Sequence, residues 1–142
     1  MAQYQPVMTV PELQSFLRQA FPAEAHARIG VVAEIAPGLA RMHLDPGPES
    51  LRPGDLVSGP TQMALVDVAA YAVVLAHIGP QAMAVTSNLN IAFLRGARRA
   101  RVIAEARLLK LGRRLAMIDV RLWQGDPDEP VAQAMVTYAL PG

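Results

Sequence analysis

Residues 58–79 read SGPTQMALVDVAAYAVVLAHIG, and from 63 to 76 every residue except Asp67 is apolar or tyrosine. This stretch constrains the fold more than any other. Pro60 suits the first turn of a helix, with Ser58 or Gly59 before it as cap, and Gly79-Pro80 ends it. A helix over residues 60–78 is apolar nearly all round, so most of its sides must be covered. A sheet wrapped around it is the simplest cover. The run is shorter and more interrupted than the about 20 apolar residues that cross a bilayer, so no membrane span is expected.

The remainder supplies that sheet. Thr9-Val10-Pro11-Glu12 matches a capping box, and Leu13, Phe16, Leu17 and Ala20 recur at helical spacing up to Pro22. This predicts a short amphipathic helix packed over something larger. Residues 28–35 and 39–44 read as strands joined by Ala36-Pro37-Gly38. Residues 45–60 carry four prolines and three glycines, the composition of a shaped loop. Residues 83–94 predict a long strand. Residues 101–110 and 114–123 alternate around a turn at Gly112-Arg113, with Ala104, Ala106, Ile118 and Val120 on the inward side. Gly125-Asp126-Pro127-Asp128 turns the chain into a last strand at 131–139. The order predicts an α+β fold with an antiparallel sheet curled around one helix. The opposite sheet face, rich in arginine and small apolar residues, suggests pairing with another copy.

The 142 residues suit one domain spanning 1–142, and 52% hydrophobic content is enough for a core. The N-terminal MAQYQPVMTV lacks a basic start followed by an apolar run, so no secretory signal is expected. The absence of cysteine excludes disulfides, thiolate metal sites and cysteine nucleophiles, and is compatible with a cytoplasmic protein. His26, His43 and His77 have no ligand spacing, so no metal site is expected. Residues 95–121 hold nine of the thirteen basic residues against two acidic ones, Glu105 and Asp119. Such a segment is either a solvated sheet face or a site for an anionic ligand. Nucleic acid is not expected, because Trp123 is the only aromatic residue from 95 to 123.

Asp67 is the chemical problem. One helical turn away stand Met63, Ala64, Ala70 and Tyr71, none of them a cation. An unpaired buried carboxylate must find donors or raise its pKa. Three readings fit: a structural aspartate held by backbone or hydroxyl donors, an ion pair with an arginine across a subunit contact, or a general base or nucleophile in a cleft. A second clue is Ser58-Gly59-Pro60, which places a glycine N–H at a helix N-terminus, where an oxyanion or polarised carbonyl is stabilised. At about 1.5 Å rise per residue, the eight-residue step from Gly59 to Asp67 spans roughly 12 Å. A site using both therefore needs a second subunit to supply one of them.

The SGP turn leading into MALVD, the phrase VTSNLNIAFLR at residues 85–95, the LGRRLA turn at 111–116 and the closing VAQAMVTY strand together resemble the hotdog-fold acyl-CoA thioesterases. The nearest likeness is to the phenylacetate-degradation (PaaI-type) branch, over roughly residues 29–138. The resemblance implies a sheet around a central helix, a homodimer as the minimum unit with sites shared across the interface, and often a homotetramer built as a dimer of dimers. It implies Asp67 as general base or nucleophile, the Gly59 N–H as oxyanion donor, and a Thr86 hydroxyl near the attacking water. For Thr86 the plain alternative is a β-branched residue favouring a strand. Where the family usually has His-Gly-Gly, this chain has Ser58-Gly59-Pro60, and where it often has asparagine this chain has Arg52. Arg52 could pair with Asp67 or bind a substrate carboxylate. Arg113 and Arg114, with Arg95, Arg98 and Arg99, suit the phosphates of coenzyme A, while each taken singly could simply solubilise a hairpin end. The small and apolar residues Ala64, Ala69 and Ala70, with Met63, Val66 and Tyr71, could line an acyl tunnel or pack the helix. The resulting expectation is a cytoplasmic acyl-CoA thioesterase with no cofactor beyond the coenzyme A of its substrate. The alternative is a non-catalytic acyl-CoA or acyl-carrier binding module on the same scaffold. A hotdog dehydratase would need a histidine beside the site glycine, where none stands.

Overall fold

The computed structural model describes residues 4–142. Residues 1–3, the start of the stretch read for a secretory signal, lie outside them. Helix α1 (Val10–Ala20) opens as expected: the Thr9 hydroxyl accepts the Glu12 N–H, and the Glu12 carboxylate accepts the Thr9 N–H. Strands β1 (Val31–Ala36) and β2 (Leu39–Leu44) follow. Gly38, at φ 70°, takes the positive-φ position that closes their hairpin. The proline-rich loop is more ordered than its composition predicts. It contains a 3-10 turn at Pro48–Ser50 and a small antiparallel pair, β3 (Leu51–Arg52) with β4 (Leu56–Val57). Helix α2 (Gly59–Ile78), the long helix, is followed by β5 (Val85–Phe93), β6 (Val102–Leu111), β7 (Leu115–Trp123) and β8 (Ala132–Ala139).

Six of these strands form one antiparallel sheet in the order β1-β2-β6-β7-β8-β5. Alternation puts Ala104, Ala106, Ala116, Ile118, Val120, Leu122, Ala134 and Val136 on the side facing α2, all of them fully buried. Helix α2 answers with Val66, Ala69, Ala70, Val73, Val74 and Ala76. Small residues on both layers let helix and sheet approach closely, and each buried branched side chain contributes on the order of 1.5–3 kcal/mol.

Contrary to the expectation from its interruptions, α2 has the length and composition to cross a membrane: 20 residues, mean hydropathy 1.5. In this fold 72% of its most apolar window is buried. The cover is not complete. Met63 and Ala64 are exposed and Asp67 is only half-buried, so the N-terminal part of one helix face stands open.

The two sheet edges differ. Helix α1 lies beside β1, where Gln14 Oε1 accepts the Val32 N–H at 2.7 Å, occupying an edge donor. Among the described residues nothing pairs with the outer edge of β5, and its Val85 and Phe93 are about half exposed. β5 also carries a bulge. Thr86 pairs with Tyr138 and Asn88 with Thr137, so Ser87 is an extra residue. From Leu89 to Phe93 the odd-numbered residues pair with inward-facing Val136, Ala134 and Ala132. Simple alternation would send Thr86 outward. The bulge turns it to the helix side.

Candidate active site

Asp67 sits on the second turn and a half of α2, where the helix crosses beneath the ends of β5 and β8. Thr86 Oγ1 donates to its Oδ1 at 2.6 Å, and Tyr138 Oη donates to the same Oδ1 at 2.9 Å and to the Asp67 carbonyl at 3.1 Å. The carboxylate thus finds hydroxyl donors within one chain. It is not sealed in. Asp67, Thr86 and Tyr138 stand on the wall of a cavity of about 520 Å³, completed by Ala20, Phe21, Val68, Tyr71, Ala82, Ala84 and Val85. Phe21, the residue that caps α1, meets Tyr71 edge to face at 6.1 Å, and Tyr71 stacks on Tyr138 at 5.9 Å. The Tyr71 hydroxyl donates to the Ala82 carbonyl, fixing that ring. Burial, joined by the nearby Asp67 charge, holds the Tyr138 phenol well above its ordinary pKa, so it remains a proton donor.

Gly59 begins α2, and no carbonyl four residues back can take its N–H. It lines a second cavity, of about 360 Å³, with Arg52, Leu56, Gln62, Phe93 and Arg95 among its neighbours. A Cβ at position 59 would meet the Phe93 ring at 3.4 Å, so the backbone lies close under that aromatic edge. In one chain the carboxylate and the glycine N–H therefore open into different cavities, near opposite ends of β5.

A family model for the thioesterase superfamily matches residues 54–131, from the turn between β3 and β4 to the residue before β8. The chain belongs to the thioesterase superfamily. A solved structure of a thioesterase candidate from Silicibacter sp. TM1040 is 38% identical, with a TM-score of 0.87 over 98% of this chain and 96% of that one. A thioesterase candidate from Ralstonia eutropha, described as related to phenylacetic acid degradation, is 27% identical, with a TM-score of 0.77 over 88% of this chain and 98% of that one. Zebrafish thioesterase superfamily member 2, at 21% identity, shares the fold with a TM-score of 0.82 over 94% of this chain and 99% of that one. No curated protein sequence matches the chain. The architecture is the hotdog fold of these thioesterases, and thioester hydrolysis is the general chemistry that membership supports.

The other residues singled out in this thioesterase are distributed less simply. Thr86 is beside Asp67, as a donor to it. Ser58 is the cap of α2: its Oγ accepts the Thr61 N–H at 3.2 Å and lies 2.8 Å from the Thr61 hydroxyl. Arg52 does not reach Asp67. It is exposed, its Nε donates to the Pro53 carbonyl, and it stands by the Gly59 cavity. The five arginines expected around coenzyme A phosphates are not one cluster within a chain. Arg95 pairs with Glu129 at 3.2 Å near the Gly59 end, and Arg99 lies 3.9 Å from Asp55. Arg98, in the same loop, forms a bridge with Leu56. Arg113 and Arg114 lie in the β6–β7 turn at the Asp67 end, where the Arg114 carbonyl accepts the Leu140 N–H. Of the residues proposed for an acyl tunnel, only Tyr71 lines the Asp67 cavity; Val66, Ala69 and Ala70 pack the core. Arginines on the outward sheet face are paired: Arg41 bridges Glu34 and Glu105, and Arg107 also holds Glu105. Tyr138 and Phe21 were not singled out. Tyr138 is 71 residues from Asp67 in sequence, and the packing of α2 against β8 brings them together.

Proposed function

We propose that this thioesterase hydrolyses acyl-CoA esters in sites shared by two copies of the chain. The observation that carries the reading is the Asp67 carboxylate: half-exposed, held by hydroxyls rather than a cation, on the wall of a largely apolar cavity. A carboxylate so placed can reach a water or a thioester carbon from the cavity wall. The second supporting feature is the uncovered edge of β5. Val85 and Thr86 at its start line the Asp67 cavity, and Phe93 at its end lines the Gly59 cavity. Two β5 strands paired antiparallel about their middle would bring the Asp67 cavity of one copy against the Gly59 cavity of the other. This supports a homodimer and resolves the roughly 12 Å separation along a single helix.

In the composite site the acyl group occupies the apolar cavity and the thioester carbonyl oxygen accepts the Gly59 N–H of the second copy. Asp67 either removes a proton from water as the water oxygen bonds to the carbonyl carbon, after which the C–S bond breaks and coenzyme A leaves as its thiol with that proton. Or the Asp67 oxygen itself bonds to the carbon, the C–S bond breaks to leave an acyl-aspartyl anhydride and the thiolate, and water then hydrolyses the anhydride, its proton going to the thiolate. The oxyanion is stabilised by the Gly59 N–H and the positive end of α2. Arg113 and Arg114 of one copy and Arg95 of the other would stand about the mouth for the phosphates.

The test is thiol release from a panel of acyl-CoA esters by the wild-type protein and Asp67→Asn. Loss of roughly 10²–10⁴-fold in kcat with an unchanged fold is expected. Wild-type turnover by the variant removes Asp67 from the chemistry. Saturable binding of the esters without thiol release by the wild-type protein identifies a binding module instead.

A further inference from the structure

The two oxygens of the Asp67 carboxylate are not equivalent in this fold. Oδ1 accepts two hydroxyls, from Thr86 and Tyr138, whereas Oδ2 accepts no donor among the described residues. Two bonds to one oxygen fix the carboxyl's rotation and leave the other oxygen for a reacting partner. We infer that Tyr138 is a positioning residue, which together with Thr86 holds Asp67 by Oδ1 and so makes Oδ2 the oxygen that meets water or the thioester carbon. This deepens the reading of Asp67 given above and rests on it.

Tyr138 is the firmer of the two donors. Thr86 lies on the exposed edge strand, while Tyr138 is 3% exposed on β8, which is hydrogen-bonded to neighbours on both sides. Its ring is stacked on Tyr71, whose own hydroxyl is tied to Ala82. A tyrosine needed only for packing would have its hydroxyl satisfied by the Asp67 carbonyl at 3.1 Å. The shorter contact, 2.9 Å, is to the carboxylate. Because burial and the Asp67 charge both oppose its ionisation, the phenol remains a donor through the neutral range. Among the described residues the titratable groups lining the cavity are Asp67, Tyr71 and Tyr138, with no arginine, lysine or histidine and no second acid.

Tyr138→Phe keeps the ring and its stack and removes only the donor. With the ionised form less favoured, the acid limb of kcat/KM against pH is expected to move up by about one unit. Above that limb kcat is expected to fall roughly 10-fold with KM within about twofold, since the orientation of the attacking oxygen changes but the acyl cavity does not. A carbon-13 carboxyl titration of Asp67, assigned with Asp67→Asn, reads the same shift without turnover. Replacing Tyr138 by 3-fluorotyrosine, a stronger donor of nearly the same shape, is expected to move the limb down. An inactive Asp67→Asn beside a Tyr138→Phe variant with wild-type kcat and an unmoved Asp67 titration overturns the positioning role and leaves the Asp67 reading standing. Full activity in Asp67→Asn overturns both. Should Tyr138→Phe fail to fold, the 3-fluorotyrosine protein decides, and an unmoved limb there overturns the inference.

Discussion

His77 gives the sharpest stability prediction. It lies in the last turn of α2, 8% exposed. Its Nδ1–H donates to the Val73 carbonyl at 2.8 Å, and its Nε2 accepts the Gly38 N–H at 2.9 Å. This pattern fits only the neutral ring: a proton on Nε2 would face the Gly38 N–H, donor against donor. Burial pushes the His77 pKa below its ordinary 6.5, outweighing the Val73 bond that favours the charged form. Unfolded chains take up this proton as pH falls through 6.5, and folded ones do so only at lower pH. The unfolded state thus binds more protons in that window, and stability falls with falling pH at up to about 1.4 kcal/mol per unit. His77→Leu removes the titration and leaves the Gly38 N–H without its acceptor, at a cost of roughly 1–3 kcal/mol that is nearly independent of pH. Urea unfolding of both proteins from pH 8 to pH 5 is the assay, with His26, His43 and the carboxylates cancelling in the difference. The wild-type advantage should be largest near pH 8 and shrink below pH 6.5. A gap of constant size across that range refutes the argument.

Two further expectations concern the ligand. Phe21 forms a wall of the Asp67 cavity, so Phe21→Ala should shift preference toward longer or bulkier acyl groups. Each added methylene accommodated is worth about 0.8 kcal/mol, roughly fourfold in kcat/KM; an unchanged acyl profile assigns the acyl group elsewhere. Arg113 and Arg114 have no ion-pair partner among the described residues. Replacing both with alanine should raise KM for CoA esters several-fold at low salt and by less at high salt, and an equal KM at both salt concentrations removes them from phosphate binding.

Much of the architecture was legible because its signals are local. The alternation in β6 and β7, the capping box of α1, and the Ser58 cap and Gly79 stop of α2 each lie within a few neighbouring residues. Asp67 was legible as an anomaly, the one acid in an apolar run. What partnered it was not. Thr86 and Tyr138 pair with each other across β5 and β8 and reach it only because α2 packs on that part of the sheet, and Tyr138 looks in sequence like any aromatic residue of an inner strand. How the arginines are spread was not legible either. They crowd together between residues 95 and 121 in sequence, but β6 spans the sheet and carries Arg113 and Arg114 to the end opposite Arg95. The open face of α2 at Met63, Ala64 and Asp67 was hidden too, since a uniformly apolar helix has no stripe to show which side lacks a cover.

The single surplus residue in β5 has a consequence for how this scaffold tolerates change in length. Ser87 sets the phase of everything before it against everything after it. The connection at residues 79–84 can grow or shrink by a residue without altering which way the Thr86 hydroxyl looks. One residue lost at Ser87 would restore strict alternation, with Asn88 outward and Thr86 still opposite Tyr138, its hydroxyl still facing the acid. With Ser87 kept and the bulge ironed out, Ser87 would take the place opposite Tyr138 and the Thr86 hydroxyl would point outward.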